Sequence, residues 1–235
     1  MRDARPGARL RAVLFDMDGL LVDTEPLWFE VEHSIMTRLG GEWTAEDQRA
    51  LIGGSLDRSV DYLLGRATRR ASHHDVAGWL IDGMAGLLAE REVEAMPGAL
   101  ELLGQVRAAG IPTALVTSSE RVIMDAVLAS LARHDIAFAA TVCGQDVGHR
   151  KPHPEPYLRA AALLGAEPSC CVALEDSPNG VAAAEAAGCV TVAVPGMAPI
   201  GTRPGRTIAA SLAHVDLALL HSLVANAAVT AAPPG

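Results

Sequence analysis

The chain has 235 residues, of which half are hydrophobic and 3% aromatic, and its formal net charge is -9. A chain of this length buries about 70 to 75% of the surface that its unfolded form exposes, which is enough for one large core and a small second domain. The composition is typical of a globular protein and excludes a disordered one, and the negative charge, with no basic run that contains aromatic residues, leads us to expect no nucleic-acid partner.

The cysteines and the apolar segments indicate the cellular compartment. No two cysteines have the C-x-x-C spacing that is typical of zinc or redox sites, so we expect reduced thiols in the core. Asp16 and Asp18 interrupt the first apolar run before it could act as a secretion signal, and no stretch approaches the 18 or so apolar residues of a membrane span. We therefore expect a cytoplasmic protein with no membrane partner. The sequence does not reveal the oligomeric state, for which a monomer is our expectation.

The first predicted strand leads to two acidic residues. The apolar run from Val13 to Phe15 is followed by Asp16 and Asp18, and Gly19 then permits a tight turn. A run of this kind indicates a buried parallel strand that delivers the acids to its carboxyl end. Because α/β proteins keep their sites at that edge of the sheet, Asp16 and Asp18 are the first candidates for a functional site.

Residues 25–95 are predicted to form a helical insertion. Apolar residues recur there at helical spacing, for example Trp28, Val31 and Ile35, and no run is typical of a buried strand. Proline and glycine near residues 24–26 and 95–98 mark the expected hinges. The predicted division is therefore a core of residues 1–24 and 96–235, which carries the catalytic motifs, and a helical cap of residues 25–95 that could close over Asp16.

After the insertion, helices and strands are predicted to alternate. Strands are expected at residues 113–116, 140–143, 171–174 and 191–194, and helices at residues 99–109, 120–132, 155–164, 178–187 and 212–220. This alternation indicates a doubly wound parallel sheet. The predicted fold class is α/β, with a Rossmann-like core and an inserted α-helical cap domain.

Polar residues follow two of these strands in ways that suit phosphate binding. Thr117 and Ser118 offer hydroxyl and backbone N–H groups at a helix start, although helix capping explains a single hydroxyl equally well. Lys151 is flanked by prolines that fix the backbone and aim its side chain inward, whereas an isolated lysine is usually solvated. Each residue alone has an ordinary explanation, but together they favour a site at this edge.

An acid pair, Glu175 and Asp176, follows the next strand, and Asp176 alone would be explained as a helix cap. Two carboxylates about 4 Å apart repel each other by roughly 4 kcal/mol at an effective dielectric constant of 20, so Asp16, Asp18 and Asp176 cannot converge in ionised form without a cation. Lys151 alone does not neutralise them. A hard dication with oxygen ligands fits, and Mg²⁺ is the expected one when a phosphate shares its coordination shell.

A family resemblance begins at the first two acids. The first motif of the haloacid dehalogenase superfamily, in particular of its phosphatases and the related β-phosphoglucomutases, resembles the segment D-M-D-G-L-L-V-D-T at residues 16–24. The resemblance extends to about Val194 and rests on four separated motifs. It implies that Mg²⁺ is held by carboxylate oxygens of Asp16 and Asp176 and by the backbone carbonyl of Asp18, with Glu175 close by.

The resemblance also implies the chemistry of a phosphatase. Asp16 would attack phosphorus and form an aspartyl-phosphate, and Asp18 would protonate the leaving alcohol and then take a proton from the hydrolytic water. Thr117, Ser118 and Lys151 would hold the phosphate oxygens. The expected function is Mg²⁺-dependent hydrolysis of a small-molecule phosphate ester, with a sugar phosphate as the expected substrate.

A β-phosphoglucomutase is the main alternative, because it would share all of these core residues. The cap argues against it, since Ile52 and Leu56 are apolar where mutases have basic residues and Trp28 stands where they have a hinge histidine. Arg58 could still bind a second phosphate.

Three other classes fit less well. A dehalogenase would need no metal. A non-enzymatic phospho-aspartate receiver module would lack the insertion and the acid pair. A nicotinamide-binding domain would have G-x-G-x-x-G after its first strand.

Overall fold

In the computed structural model, which describes residues 9–51 and 54–230, six parallel strands form the central sheet. They are β1 (Ala12–Phe15), β2 (Thr113–Val116), β3 (Ala140–Val142), β4 (Cys171–Glu175), β5 (Val190–Ala193) and β6 (Thr207–Ile208). Their order across the sheet is β3-β2-β1-β4-β5-β6, so β1 pairs with both β2 and β4. The strand order reverses direction beside β1, and open α/β sheets bind ligands at the carboxyl end of such a switch point.

Four helices lie between β1 and β2 in the described part of the chain. They are α1 (Glu25–Arg38), α2 (Ala45–Leu51), α3 (Leu56–Arg66) and α4 (His73–Glu90). Ser72 and Asp75 form a capping box that fixes the start of α4. Buried side chains from all four helices, or from the loop after α1, form a hydrophobic cluster of their own, which consists of Val31, Ile35, Met36, Leu39, Trp43, Leu51, Val60, Leu63, Val76 and Leu80.

Backbone hydrogen bonds join the segment that enters this insertion to the segment that leaves it. The N–H of Asp23 donates to the carbonyl oxygen of Glu94 at 2.9 Å, and the N–H of Met96 donates to that of Leu21 at 2.9 Å. Both bonds lie at the predicted hinges. The predicted helices of the insertion are present. The division of the chain into two domains at residues 25 and 95 stays a prediction.

Five further helices cover the two faces of the sheet. They are α5 (Ala99–Ala108), α6 (Arg121–Ala132), α7 (Glu155–Leu163), α8 (Pro178–Ala186) and α9 (Leu217–Thr230). Because successive side chains of a strand point to opposite faces, Val13 and Phe15 of β1 pack in the cluster that contains side chains of α5, α6 and α9. Ala12 and Leu14 pack on the other face with α7 and α8. Burial on both faces explains why the first strand is a continuous apolar run.

The predicted fold class is confirmed. The bounds of β2 to β5 and of α5 to α8 differ from the predicted ones by at most one residue at each end. The predicted last helix is present, but its predicted bounds of 212–220 are wrong, because a 3-10 turn occupies Leu212–His214 and α9 begins at Leu217. Asp216 caps the N-terminus of α9, because its carboxylate accepts a hydrogen bond from the N–H of Leu219 at 2.7 Å. The short strand β6 was not predicted.

The sequence predicted reduced thiols in the core and no membrane span, and the described residues bear on both expectations. All four cysteines are free thiols, and Cys143, Cys171 and Cys189 are buried, whereas Cys170 is partly exposed. Cys170 is thus outside the core, because it ends a 3-10 turn before β4. No helix in the described part of the chain combines the length and the apolar character that a bilayer crossing requires.

Candidate active site

Side chains from three strand ends and one loop meet at the carboxyl edge of the sheet. Asp16 follows β1, Thr117 follows β2, and Asp176 follows β4. Lys151 lies on the loop between β3 and α7. These four residues, and also Asp18, line one cavity. The structure therefore brings together residues that the sequence placed at separate strand ends.

Lys151 is buried among carboxyl groups and is not solvated. Its Nζ donates to Oδ1 of Asp16, to Oε1 of Glu175 at 2.6 Å and to the carbonyl oxygen of Val116 at 2.8 Å. Burial alone would lower the pKa of this lysine, but the charges of Asp16 and Glu175 outweigh burial and raise it. The ammonium group is therefore charged, and the expectation that Lys151 points inward agrees with these contacts.

Asp16, Glu175 and Asp176 form a buried cluster of carboxyl groups. One carboxylate oxygen from each lies within 4.8 Å of the others. Burial, followed by repulsion from Glu175, raises the pKa of Asp16 to about 7, and burial followed by repulsion from Asp16 raises the pKa of Asp176 well above its usual range. Lys151 offsets only one of the three charges. The cluster therefore fits a hard dication with oxygen ligands, such as Mg²⁺.

Two glycines leave room for these carboxyl groups. Gly19 has a φ of +79°, and a Cβ atom there would lie 2.4 Å from Oδ2 of Asp176. A Cβ atom on Gly180, in α8, would lie 1.9 Å from the carboxyl atoms of Glu175. Neither position has space for a side chain, and Gly19 also supplies the turn that the sequence predicts after Asp18.

Asp18 contacts hydroxyl groups and does not belong to the cluster of three acids. Thr24 and Ser119 each donate to its carboxylate at 2.7 Å, and Thr117 donates to it at 3.2 Å. This separation is consistent with the expectation that only the backbone carbonyl of Asp18 contacts a metal. Ser118 lines the cavity beside them. The phosphate-binding roles of Thr117 and Ser118 stay predictions.

The cavity lies between the sheet edge and the helical insertion, and its volume is about 120 Å³. On the core side its lining includes Arg150, whose guanidinium is paired with Glu120 at 2.5 Å. On the side of the insertion the described lining residues are Glu25, Trp28, Glu32, Gln48, Leu51, Gly54, Ser55, Leu56 and Ser59. We call this set the cap wall. Its described residues include two carboxylic acids and no lysine or arginine.

The structure describes some, but not all, of the cap positions that distinguish a mutase from a phosphatase. Leu56 lines the cavity, as an apolar residue, whereas Ile52 lies outside the described residues. Arg58 does not line the cavity, because its guanidinium donates to the carbonyl oxygen of Ala50 at 2.8 Å. The described part of the cap wall therefore offers no cation for a second phosphate.

Comparison with known proteins identifies the family. A family model described as haloacid dehalogenase-like hydrolase matches residues 10–188. The chain belongs to this family. Hexitol phosphatase B of Escherichia coli (strain K12) is 33% identical to this hydrolase over 219 residues, which are 93% of this chain and 96% of that protein.

Solved structures agree with this assignment. The crystal structure of CbbY from Rhodobacter sphaeroides in complex with phosphate has a TM-score of 0.80 at 28% identity, and the match covers 90% of this hydrolase and 99% of that chain. The β-phosphoglucomutase of Clostridium difficile has a TM-score of 0.78 at 21% identity, over 94% of this chain and 99% of that chain. The latter likeness shows the fold alone.

Several contacts in this hydrolase were not among the predicted site residues. Thr24 and Ser119 hold the carboxylate of Asp18, and the hydroxyl of Tyr157 donates to Glu175 at 2.5 Å. Burial, followed by the charge of Glu175, raises the pKa of Tyr157 well above its usual range. The sequence offers one signal for Tyr157, which is a single aromatic residue in an otherwise alanine-rich helix after Lys151.

The acidic cap wall was also missed. Glu25, Trp28 and Glu32 recur at positions i, i+3 and i+7 of α1, which places them on one helix face. Glu32 lies between the buried Val31 and Ile35, and a carboxylic acid beside an apolar stripe is an unusual feature that could have been noticed in the sequence.

Proposed function

We propose that this hydrolase is a Mg²⁺-dependent phosphomonoester hydrolase that acts on a small phosphorylated metabolite, with a sugar phosphate as the substrate class. The observation that carries the proposal is the position of Asp16. Its buried carboxyl group contacts Lys151 and lies beside Asp176 at the carboxyl end of the central strand. The similarity to a hexitol phosphatase and to a CbbY structure with phosphate supports the substrate class.

Asp16 acts as the nucleophile. A carboxylate oxygen of Asp16 attacks phosphorus, and the bond from phosphorus to the leaving alcohol oxygen breaks, which gives an aspartyl-phosphate. This splits one difficult displacement into two easier ones. Lys151 supports the step because its ammonium lies against Asp16 and would reduce the repulsion between the carboxylate and an anionic phosphate.

Asp18 transfers the protons. In its protonated form it gives a proton to the leaving alcohol oxygen, and its carboxylate then takes a proton from the water that attacks the aspartyl-phosphate. The bond from phosphorus to Asp16 breaks in that second step and releases inorganic phosphate. The hydroxyls of Thr24, Thr117 and Ser119 support this role because they hold the carboxyl group in one orientation.

The carboxylate cluster explains the need for a cation. Carboxylate oxygens of Asp16 and Asp176 and the backbone carbonyl of Asp18 would hold Mg²⁺, with Glu175 next to them. When bound, Mg²⁺ would keep these carboxyl groups ionised and offset the negative charge of the phosphate. Lys151, Thr117 and Ser118 would contact the remaining phosphate oxygens.

A β-phosphoglucomutase-type transfer between sugar hydroxyls is the second candidate, since the core residues would serve it equally. That reaction needs a cap that binds a second phosphate, and the described cap wall has two acids and no cation. A receiver module that is phosphorylated without turnover is a third candidate. The insertion over the cavity disfavours it, because such a cover serves bound substrate.

The first test is phosphate release from 4-nitrophenyl phosphate by the purified protein with Mg²⁺ and after exhaustive chelation. We expect release that stops on chelation and returns when Mg²⁺ is added. Full activity without the metal contradicts the proposal, and a single stoichiometric phosphorylation without turnover supports the receiver module.

The second test separates the phosphatase from the mutase. The protein is incubated with β-glucose 1-phosphate and a catalytic amount of the 1,6-bisphosphate, and the products are identified. We expect glucose and inorganic phosphate. Glucose 6-phosphate that accumulates without inorganic phosphate would overturn the phosphatase assignment.

A further inference from the structure

Glu32, which lines the active-site cavity, has a carboxyl oxygen without a partner among the described residues. Glu32 lines the cavity from α1, and only 4% of its surface is exposed. Its Oε2 is buried and makes no hydrogen bond within the described part of the chain. An unpaired buried polar atom is destabilising, so such an atom indicates that another group, such as a bound ligand, pairs with it.

Burial and a neighbouring acid determine the protonation state of the Glu32 carboxyl group. Burial, followed by repulsion from Glu25, raises the pKa of Glu32 from 4.5 to about 8. At neutral pH the group is therefore mostly protonated, with one O–H donor and one carbonyl acceptor. A hydroxyl group also both donates and accepts, so it complements this form of Glu32.

The neighbouring residue Gln48 is fixed toward Glu25. Its Nε2 donates to the backbone oxygen of Glu25 at 2.8 Å and to Oε2 of the same residue at 3.2 Å. Gln48 thus orients the first acid of the cap wall, and Glu32 lies two helical turns further along α1. Gln48, Glu25 and Glu32 thus give the cap wall polar groups that can form hydrogen bonds with neutral, hydroxylated compounds.

Cations in the cavity belong to the core side and already have acidic partners. Arg150 is paired with Glu120 at 2.5 Å, and Lys151 is paired with Asp16 and Glu175. A second anionic group on the substrate would extend away from Asp16 toward the cap wall, where the described residues offer carboxyl groups instead of a counter-charge. An anionic group that loses water there without gaining a counter-charge binds unfavourably.

We propose that Glu32 determines specificity by hydrogen-bonding a hydroxyl of the leaving group, so that the enzyme selects phosphomonoesters of uncharged sugars or sugar alcohols over substrates that carry a second anionic group. This inference rests on the proposed function. It adds a residue and a chemical reason for the substrate class, and it assigns the selection to α1 and not to the core.

The first experiment uses the unmodified protein with two six-carbon substrates that differ at one end. Glucitol 6-phosphate ends in a neutral CH₂OH group, and 6-phosphogluconate ends in a carboxylate. We expect kcat/KM at pH 7 to be at least about tenfold higher for glucitol 6-phosphate, because the carboxylate of 6-phosphogluconate would lie near Glu25 and meet no lysine or arginine in the described cap wall. Equal values, or a preference for 6-phosphogluconate, overturn the inference.

The second experiment compares three variants of α1. Glu32→Leu removes the hydrogen-bonding group and should lower kcat/KM for glucitol 6-phosphate at least about tenfold more than for 4-nitrophenyl phosphate, which has no hydroxyl to recognise. Glu32→Gln keeps a donor and an acceptor and should stay within about threefold of the wild-type value for glucitol 6-phosphate. Glu30→Leu is the matched control, because Glu30 is exposed on the same helix and pairs with Arg91 at the surface.

The outcomes separate this inference from the proposed function. Equal losses on both substrates in Glu32→Leu would mean a structural role and overturn the inference, as would failure of Glu32→Gln to restore activity while it remains folded. If Glu32→Leu does not fold, the wild-type substrate pair and Glu32→Gln decide the question. No phosphate release from 4-nitrophenyl phosphate by the wild type with Mg²⁺ would instead refute the proposed function itself.

Discussion

The carboxyl group of Asp16 takes part in several interactions, and its replacement by an amide tests them together. Asp16→Asn should reduce turnover to below about 1% of the wild-type rate, a barrier increase of at least about 2.7 kcal/mol, because the amide is neither a nucleophile nor an anionic metal ligand. Phosphate release under saturating Mg²⁺ measures the effect, with circular dichroism as the check on folding. A folded variant that keeps more than this fraction would show that Asp16 is not the nucleophile.

Asp18 allows a more selective test of acid–base chemistry. Asp18→Asn should slow turnover by about 10² to 10⁴-fold, the usual contribution of a general acid–base group, while the Mg²⁺ dependence stays the same because the backbone carbonyl is retained. The loss should be smaller for 4-nitrophenyl phosphate, whose leaving group needs no proton. The measurement is the ratio of losses for that ester and for a sugar phosphate, and equal losses would argue against the acid role.

The predicted site residues share one property, which is that each stands directly after an apolar strand or in a short loop beyond one. The convergence of Asp16, Lys151 and Asp176 on one cavity could be predicted in this way, because parallel strands deliver their ends to one edge. Tyr157 and Glu32 are unusual residues in the sequence, but the Tyr157 contact with Glu175 and the place of Glu32 in the cavity could not be predicted, because they depend on how a helix rotates against the sheet or the cavity. Helical spacing predicts which residues share one face of a helix, but it does not predict which side chains of other elements that face contacts.

At the scale of the element, the packing of α8 against β4 gives a stability prediction. Gly180→Ala places a Cβ atom 1.9 Å from the carboxyl atoms of Glu175, so the helix or the buried acid must shift. We expect a loss of about 1 to 3 kcal/mol in the free energy of unfolding, which is the usual cost of overpacking. Urea unfolding monitored by circular dichroism measures it.

Gly104 in α5 is the matched control for that substitution. It is an exposed helical glycine, and a Cβ atom added there would meet no described atom of another residue within 4 Å. Gly104→Ala should therefore raise stability by about 0.4 to 1 kcal/mol, because alanine lowers the entropy of the unfolded chain. Equal effects of the two substitutions would show that the close contact with Glu175 does not govern the first.

Elements of the core were easier to predict than those at the end of the chain. Strands buried on both faces are continuous apolar runs, and turn residues bound them clearly. The strand β6 has only two residues, which is too short for any periodicity to appear. The start of α9 depends on the Asp216 cap, which interrupts an apolar pattern that continues on both sides of it.

At the scale of the whole molecule, the buried Glu32 makes stability depend on pH. Its usual pKa is 4.5, and burial, followed by repulsion from Glu25, raises the pKa to about 8 in the folded protein. Between these values the folded state binds a proton that the unfolded state lacks, so stability falls as pH rises from about 4.5 to about 8, by up to about 1.4 kcal/mol per pH unit. The acid thus opposes folding at high pH.

Comparison of the wild type with Glu32→Gln isolates this contribution, because other titrating groups cancel in the difference. We expect the variant to gain stability relative to the wild type as pH increases from 5 to 8. The free energy of unfolding in urea, measured at several pH values in this range, provides the test. A difference that does not change with pH would mean that Glu32 titrates normally in the folded protein.

Three expectations about the whole molecule stay predictions. They are the monomeric state, the absence of a nucleic-acid partner and the cytoplasmic location. The exposed large apolar residues of the described chain are spread over several elements, with two of them on α7, which is consistent with a monomer; they are Val122, Leu158, Leu163, Met197, Ile208 and Val229. Sedimentation equilibrium at several protein concentrations would test the first expectation.

Asp16 and Glu32 stand on elements whose buried side chains pack in different hydrophobic clusters, although Trp28 of the cap wall also packs against the cluster that contains Phe15. Asp16 follows a strand that packs in the two clusters of the sheet, whereas Glu32 lies on a helix that packs in the cluster of the insertion. A substitution at Glu32 therefore removes no side chain from the two clusters that hold the strand before Asp16. For the evolution of such enzymes, this means that substitutions at a position such as Glu32 can change the preferred substrate while the packing of the central strand is kept.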